Sequence, residues 1–133
     1  MITREADYAI RVVLCLAAMP KGRSMSTSVL AEQMFIPYRF LRRIVRKLCA
    51  SGIVGSIRGK AGGIYLLEKP AKISVHDILA VFDPGALMLN RCYEKDNSCP
   101  RKKKCGVHRA LEHVQKLLNE RLEAISFADL AGT

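Results

Sequence analysis

Residues 38–67 read YRFLRRIVRKLCASGIVGSIRGKAGGIYLL, and the fold turns on this stretch. Over 38–50, Leu41, Ile44, Val45 and Leu48 recur at the spacing of one helix face, and Gly52 ends the helix. The cations Arg39, Arg42, Arg43, Arg46 and Lys47 follow at steps of 3, 1, 3 and 1. That spacing gathers all five on a broad face opposite the apolar stripe. A β-branched run from Ile53 to Ile57 comes next, then the basic loop Arg58-Gly59-Lys60-Ala61-Gly62-Gly63, then a second apolar run from Ile64 to Leu67. Two short strands around such a loop make a hairpin with a basic tip.

Upstream, residues 3–19 predict a helix. Thr3 can cap it, Glu5 and Asp7 suit its first turn, and Pro20 and Gly22 stop it. Its expected inward stripe is Ile10, Val13, Leu14 and Ala17. A short helix over 26–34, opened by Ser26 or Thr27, leads through a tight turn at Ile36 and Pro37 into the basic helix. Helix, short helix, turn and basic helix form a helix-turn-helix, and the hairpin adds a wing. The chain therefore reads as mainly α: a winged helix-turn-helix with a small β-hairpin wing and a long C-terminal dimerisation helix.

Downstream, Ser74 opens another helix, apolar at Val75, Ile78, Leu79 and Phe82, which Asp83-Pro84-Gly85 breaks. Residues 86–106 are polar and aperiodic. Residues 107–127 predict the longest helix, with a seam of Leu111, Val114, Leu118, Leu122 and Ile125. Spacing near 3.5 suits a partner helix; the alternative is packing on its own domain. The expected division is a DNA-binding domain over 1–82, a cysteine-containing sensor loop over 83–106, and a dimerisation helix and tail over 107–133.

A chain of 133 residues suits one domain, or one domain with an arm. Its 22 Lys and Arg against 12 Asp and Glu give a net charge of +10, which asks for a polyanion: nucleic acid or an anionic membrane surface. The charge is not spread evenly. Residues 1–70 hold 12 basic and 4 acidic side chains, whereas 71–133 hold 10 and 8. From Gln33 to Leu67 there is no acid and there are seven cations. In a winged module, Tyr38, Arg39, Arg42 and Arg43 enter the major groove, where Arg pairs bidentately with guanine. Arg46 and Lys47 fall further along, at phosphate-contacting positions. Arg58 and Lys60 ride on the wing, whose glycines let backbone approach the duplex, and Arg58 could reach a narrow minor groove. The competing explanation is an ordinary solvated face. Lack of Trp and only 6% aromatic content argue against a base-stacking platform.

Other classes fall away. No apolar run reaches the roughly 18 residues of a membrane span. Glu5, Asp7 and Arg11 interrupt the N-terminal stretch as no signal peptide would allow. A cytosolic setting with reduced thiols is expected, and five cysteines suit it better than a disulfide framework. No nucleophile–base pair, phosphate-cradling loop or paired carboxylates stand out, so an enzyme is not expected.

Three of the cysteines form a pattern with a histidine: Cys92-x6-Cys99-x5-Cys105-x2-His108. Iron–sulfur clusters take thiolate ligands from such loops, and Arg101, Lys102, Lys103 and Lys104 would offset cluster charge and lower thiol pKa values. Rivals are a Cys3His zinc site, which usually favours C-x2-C pairs absent here, and metal-free thiols. Cys15 and Cys49 lie in or beside apolar helix stripes and read as inert core cysteines, while His76 and His113 read as structural or exposed.

Three segments together resemble one family. Thr3-Arg4-Glu5-Ala6-Asp7-Tyr8-Ala9-Ile10-Arg11 is similar to its opening signature. Ser56 to Leu66 is similar to its wing, usually S-x-R-G-x-x-G-G-Y-x-L, and the cysteine triad to its sensor. This is the Rrf-type family of bacterial winged-helix regulators, and the resemblance spans nearly the whole chain. It implies a homodimeric repressor of palindromic operator DNA. An iron–sulfur cluster, 2Fe–2S or 4Fe–4S, would set DNA affinity in response to iron–sulfur, nitric oxide or redox status. Carried over by position, Cys92, Cys99 and Cys105 would ligate the cluster. The fourth ligand would be His108 or, as in another branch, Asp7 donated from the partner's first helix. Two departures stand out: six residues rather than five separate the first two cysteines, and Ile64-Tyr65 replaces the usual Gly-Tyr, which should shift wing packing slightly. Two alternatives stay open: the same fold regulated by thiol oxidation or a partner protein, and, more remotely, a small iron–sulfur carrier.

Overall fold

The computed structural model describes residues 1–96 and 98–132. Six helices and one hairpin follow in chain order: α1 (Arg4–Ala17), α2 (Thr27–Met34), α3 (Tyr38–Ala50), β1 (Val54–Ile57), β2 (Gly63–Leu66), α4 (Val75–Phe82), α5 (Gly106–Ala124) and α6 (Phe127–Gly132). The winged helix-turn-helix expected from the sequence is present. No helix among the described residues is long and apolar enough to cross a membrane.

Helix α1 begins where Thr3 accepts a hydrogen bond from the Ala6 amide at 3.3 Å, with Glu5 and Asp7 at the positive end of the helix. It touches α2, α3, α4, α6 and β2, so it forms the centre of the core. Its buried residues are Ala6, Ala9, Val12, Val13 and Leu16. The expected stripe was therefore turned: only Val13 of it is fully buried, while Ile10, Leu14 and Ala17 pack at the margin. Two alanines carry the inward face because a central helix must let its neighbours approach closely.

Helix α3 buries Leu41, Ile44, Val45 and Leu48, as its spacing requires. Ser74 and Asp77 form a reciprocal capping box at the start of α4, which buries Val75, Ile78, Leu79 and Phe82. The two strands pair antiparallel, with Val54 opposite Leu66 and Ile57 opposite Gly63. Met25 pairs with the other edge of β2, exchanging both backbone hydrogen bonds with Ile64. A Cβ on Gly63 would fall 2.3 Å from the Met25 carbonyl oxygen, so glycine is obligatory there. Ile64 fills the core, and Tyr65 lies across Gly55 on the other side of the hairpin.

Between α2 and α3, Phe35 closes α2 in the left-handed conformation, with φ 55° and ψ 39°. For a bulky side chain this costs about 1–2 kcal/mol. The C-terminal segment does not run as one helix. It breaks at Ile125 and Ser126, where residues 125–127 pair with 73–75: the Val75 amide donates to Ile125, and the Phe127 amide to Ile73. Ser126 then accepts from the Asp129 amide and opens α6, and Phe127 is wholly buried among α1 and its neighbours. Replacing Phe127 by Ala should cost about 3–5 kcal/mol, read from the urea unfolding midpoint; a change under 1 kcal/mol would show that the tail is dispensable to the core.

Candidate nucleic-acid interface and cysteine cluster

With the apolar side of α3 fixed inward, the opposite side has one orientation available. Arg39, Arg42, Arg43, Arg46 and Lys47 are all exposed, as are Arg58 and Lys60 on the wing. Tyr38 and Phe40 stand among them and hold two of the guanidinium groups: Arg42 lies 6.0 Å from the Tyr38 ring centre and Arg43 5.5 Å from that of Phe40. Such stacking orders a cation without neutralising it. Among the described residues, Lys47 alone of these seven meets a carboxylate, its Nζ lying 3.2 Å from Glu5 Oε1 and 5.4 Å from the Phe82 ring centre. Lys47 thus ties α3 to α1 and α4, at the inner edge of the face. Six cations remain uncompensated.

The wing glycines have an internal reason as well as any external one. Gly59 adopts φ +111°, and a Cβ on Gly62 would fall 2.1 Å from the Ile57 carbonyl oxygen. The turn over 58–62 can therefore be this tight only with glycine at those positions.

The cysteine segment is built around the start of α5. It contains short turns at Pro84–Leu87, Arg91–Tyr93 and Lys102–Lys104. Cys105 is the N-cap of α5, its Sγ accepting from the His108 amide at 3.4 Å. The other side of His108 meets Cys92, with Nδ1 3.2 Å from Sγ. Tyr93 stacks on the His108 ring at 4.9 Å, and its hydroxyl donates to the His108 carbonyl at 2.7 Å. Desolvation, with Cys92, Glu112 and Cys105 nearby, pushes the Tyr93 phenol above its ordinary pKa. Two of the three expected sulfur ligands therefore contact His108, Cys92 at its ring and Cys105 at its main-chain amide. Cys99 is exposed on the intervening segment. Among the described residues no group of three or more His, Cys, Asp or Glu side chains already surrounds a common point. Asp7 lies on α1, paired with Arg11 at 3.0 Å. Cys15 and Cys49 are half-buried against the core, and burial raises both thiol pKa values.

One residue of this region carries no sequence signal. Gln115, the single buried polar residue among those described, donates from Nε2 to the Leu87 carbonyl and accepts at Oε1 from the Leu89 amide at 2.8 Å. It pins the start of the cysteine segment to the middle of α5. The seam of α5 divides around it: Leu111, Leu118, Leu122 and Ile125 are partly covered by the chain itself, whereas Val114 is exposed. With Val107 and Leu117, Val114 lines an outer apolar stripe.

Comparison with known proteins agrees with this architecture. A family model, Rrf2, described as an iron-dependent transcriptional regulator, matches residues 2–133. The chain is 28% identical over 132 residues to the transcriptional repressor NsrR of Streptomyces coelicolor, covering 98% of this chain and 88% of that protein. Among solved structures, CymR of B. subtilis, the global cysteine regulator, superposes with a TM-score of 0.78 at 23% identity, covering 99% and 96% of the two chains. T. potens IscR gives 0.73 at 25% identity, covering 98% and 85%. These relatives are regulators, not enzymes. With residues 2–133 matched and its fold shared, the chain belongs to the Rrf2 family of transcriptional regulators.

Proposed function

We propose that this regulator is a homodimeric, operator-binding repressor whose DNA affinity follows the state of an iron–sulfur cluster held by Cys92, Cys99 and Cys105. The observation that carries the DNA reading is the face of six uncompensated cations on α3 and the wing. In this reading Tyr38, Arg39, Arg42 and Arg43 address base edges, Arg46 and Lys60 phosphates, and Arg58 the minor groove; Lys47, anchored to Glu5, steadies the helix at its edge.

The donor set suits a cluster: Cys92 and Cys105 already lie against His108, and a third thiol, Cys99, is carried on the same segment. When bound, the cluster supplies a redox- and nitric-oxide-sensitive cross-link between thiolates. His108 fits as fourth ligand because it already stands with two of the thiols, whereas Asp7 would first have to leave Arg11. The chain's own residues carry the signal. Gln115 fixes residues 87–89 to α5, and Cys105 caps the first turn of the same helix. Reordering residues 92–105 would therefore pull on α5 at its first turn and at its middle. The outer stripe of Val107, Val114 and Leu117 would meet the partner's, so that pull would alter the spacing of two recognition helices.

A second reading, regulation by thiol oxidation without metal, draws on the same neighbourhood, since one sulfur lies against the His108 ring and another against its main-chain amide. Iron and zinc analysis of anaerobically purified protein separates the two. A metal-free protein whose operator affinity changes on disulfide formation would establish the thiol reading.

Three measurements check the proposal. Arg42→Ala and Arg58→Ala should each weaken operator binding, and Arg46→Ala should reduce the slope of log affinity against log salt by about 0.9; unchanged affinity for the first two and unchanged slope for the third would refute the reading face. Cys92→Ala, Cys99→Ala and Cys105→Ala should each lose visible absorption and iron in anaerobic preparations, and retention of both by all three would rule out the cluster. Leu117→Glu should turn the dimer into a monomer in sedimentation velocity and weaken operator binding, whereas a persistent dimer would place the interface elsewhere.

A further inference from the structure

Phe35 combines two features that the fold does not explain. It is left-handed, at φ 55°, the one non-glycine residue among those described with positive φ, and it is 90% exposed. Glycine or asparagine would close α2 in the same conformation with less strain. Burial does not compensate either, since a side chain so exposed contributes little to the core. A strained backbone carrying an exposed aromatic ring points to a contact outside the chain.

Its position says which contact. Phe35 lies in the turn of the helix-turn-helix, three residues before α3 begins, in the same stretch as exposed Tyr38 and Phe40. It lies within the acid-free window from Gln33 to Leu67, whose cations are uncompensated but for Lys47. A second copy of this chain would bring the same cations to the patch and be repelled. Duplex DNA brings the opposite charge. Its major groove also offers an apolar feature to match the ring, the C5-methyl group of thymine.

We infer that Phe35 is a specificity-determining residue that packs against a thymine methyl group in the operator major groove. This rests on the DNA-binding reading above and deepens it. The ring adds no charge, so its contribution is to sequence preference rather than to salt-dependent affinity.

The test uses the full-length protein. Wild-type protein first selects its preferred duplex from a random-sequence pool. Affinity is then measured by fluorescence anisotropy on that duplex and on a series in which each thymine in turn becomes uracil, a change that removes only the methyl group. One such replacement should weaken wild-type binding about fourfold, the worth of one buried methyl group. Phe35→Gly should bind the parent duplex about fourfold or more weakly, lose its sensitivity to that uracil, and keep the wild-type salt slope. Glycine relieves the left-handed backbone, so Phe35→Gly should melt no lower than wild type, and Phe35→Asn provides a second variant suited to that conformation. If both variants keep wild-type affinity and the wild-type response at every thymine, the inference is overturned. Failure of the underlying reading looks different: wild-type protein would then enrich no duplex and show no salt-dependent binding, which overturns both.

Discussion

The insertion of Leu41, Ile44, Val45 and Leu48 into the core is the contact on which the rest of the molecule depends. Once these four are buried, the rotation of α3 is set, and the five cations of its other face cannot turn inward. Glu5 reinforces the setting by holding Lys47, which fastens α3 to the central helix. The hairpin that follows is positioned in turn by Val54 and Ile64, both buried, and by the Met25 rung that joins it to the segment before α2. Reading helix and wing are thus mounted on one apolar cluster. Like charges gathered on so small a surface repel one another, and the fold tolerates this because the same packing leaves them in water, where screening is strong.

The sequence was most informative where a single period or residue type controls structure. The stripe of α3, the glycine-rich turn and the Ser74 cap are local features, and each stands where the spacing placed it. It misled in α1 because alanine looks weakly apolar, although Ala6 and Ala9 are what a helix with five neighbours needs. It also ran α5 through Ile125 and Ser126, because the break comes from pairing with residues 73–75, some 50 positions away. Gln115 was illegible for a related reason: besides Asn119 one turn along α5, its partners are main-chain atoms 26 and 28 residues upstream, which no local pattern records. At the candidate site the spacing drew attention to Cys92, Cys99, Cys105 and His108, but not to Tyr93, which braces the histidine by stacking and by a hydrogen bond. Phe35 stands where turn chemistry favours glycine, so the sequence gives no hint that the backbone there is left-handed.

The seam of α5 shows how one helix can serve two surfaces. At about 100° per residue the seam fans over an arc of roughly 80°, and Val114 falls at the edge of that arc nearest Leu117. Here Leu122 and Ile125 come to rest against the margin of the chain's own core, while Val114 emerges beside Val107 and Leu117. In the proposed dimer the outer stripe would serve the partner, while Gln115 serves the chain's own fold. Because Gln115 grips residues 87–89, a displacement of the cysteine segment that reaches them cannot stop at the segment itself. It must either break two hydrogen bonds of a buried amide, at about 1–3 kcal/mol for each group left unsatisfied, or move the helix. On the proposed reading the second course is the useful one. The outer stripe then carries the displacement to the partner, and the rigid mounting of α3 and the wing carries it on to the DNA.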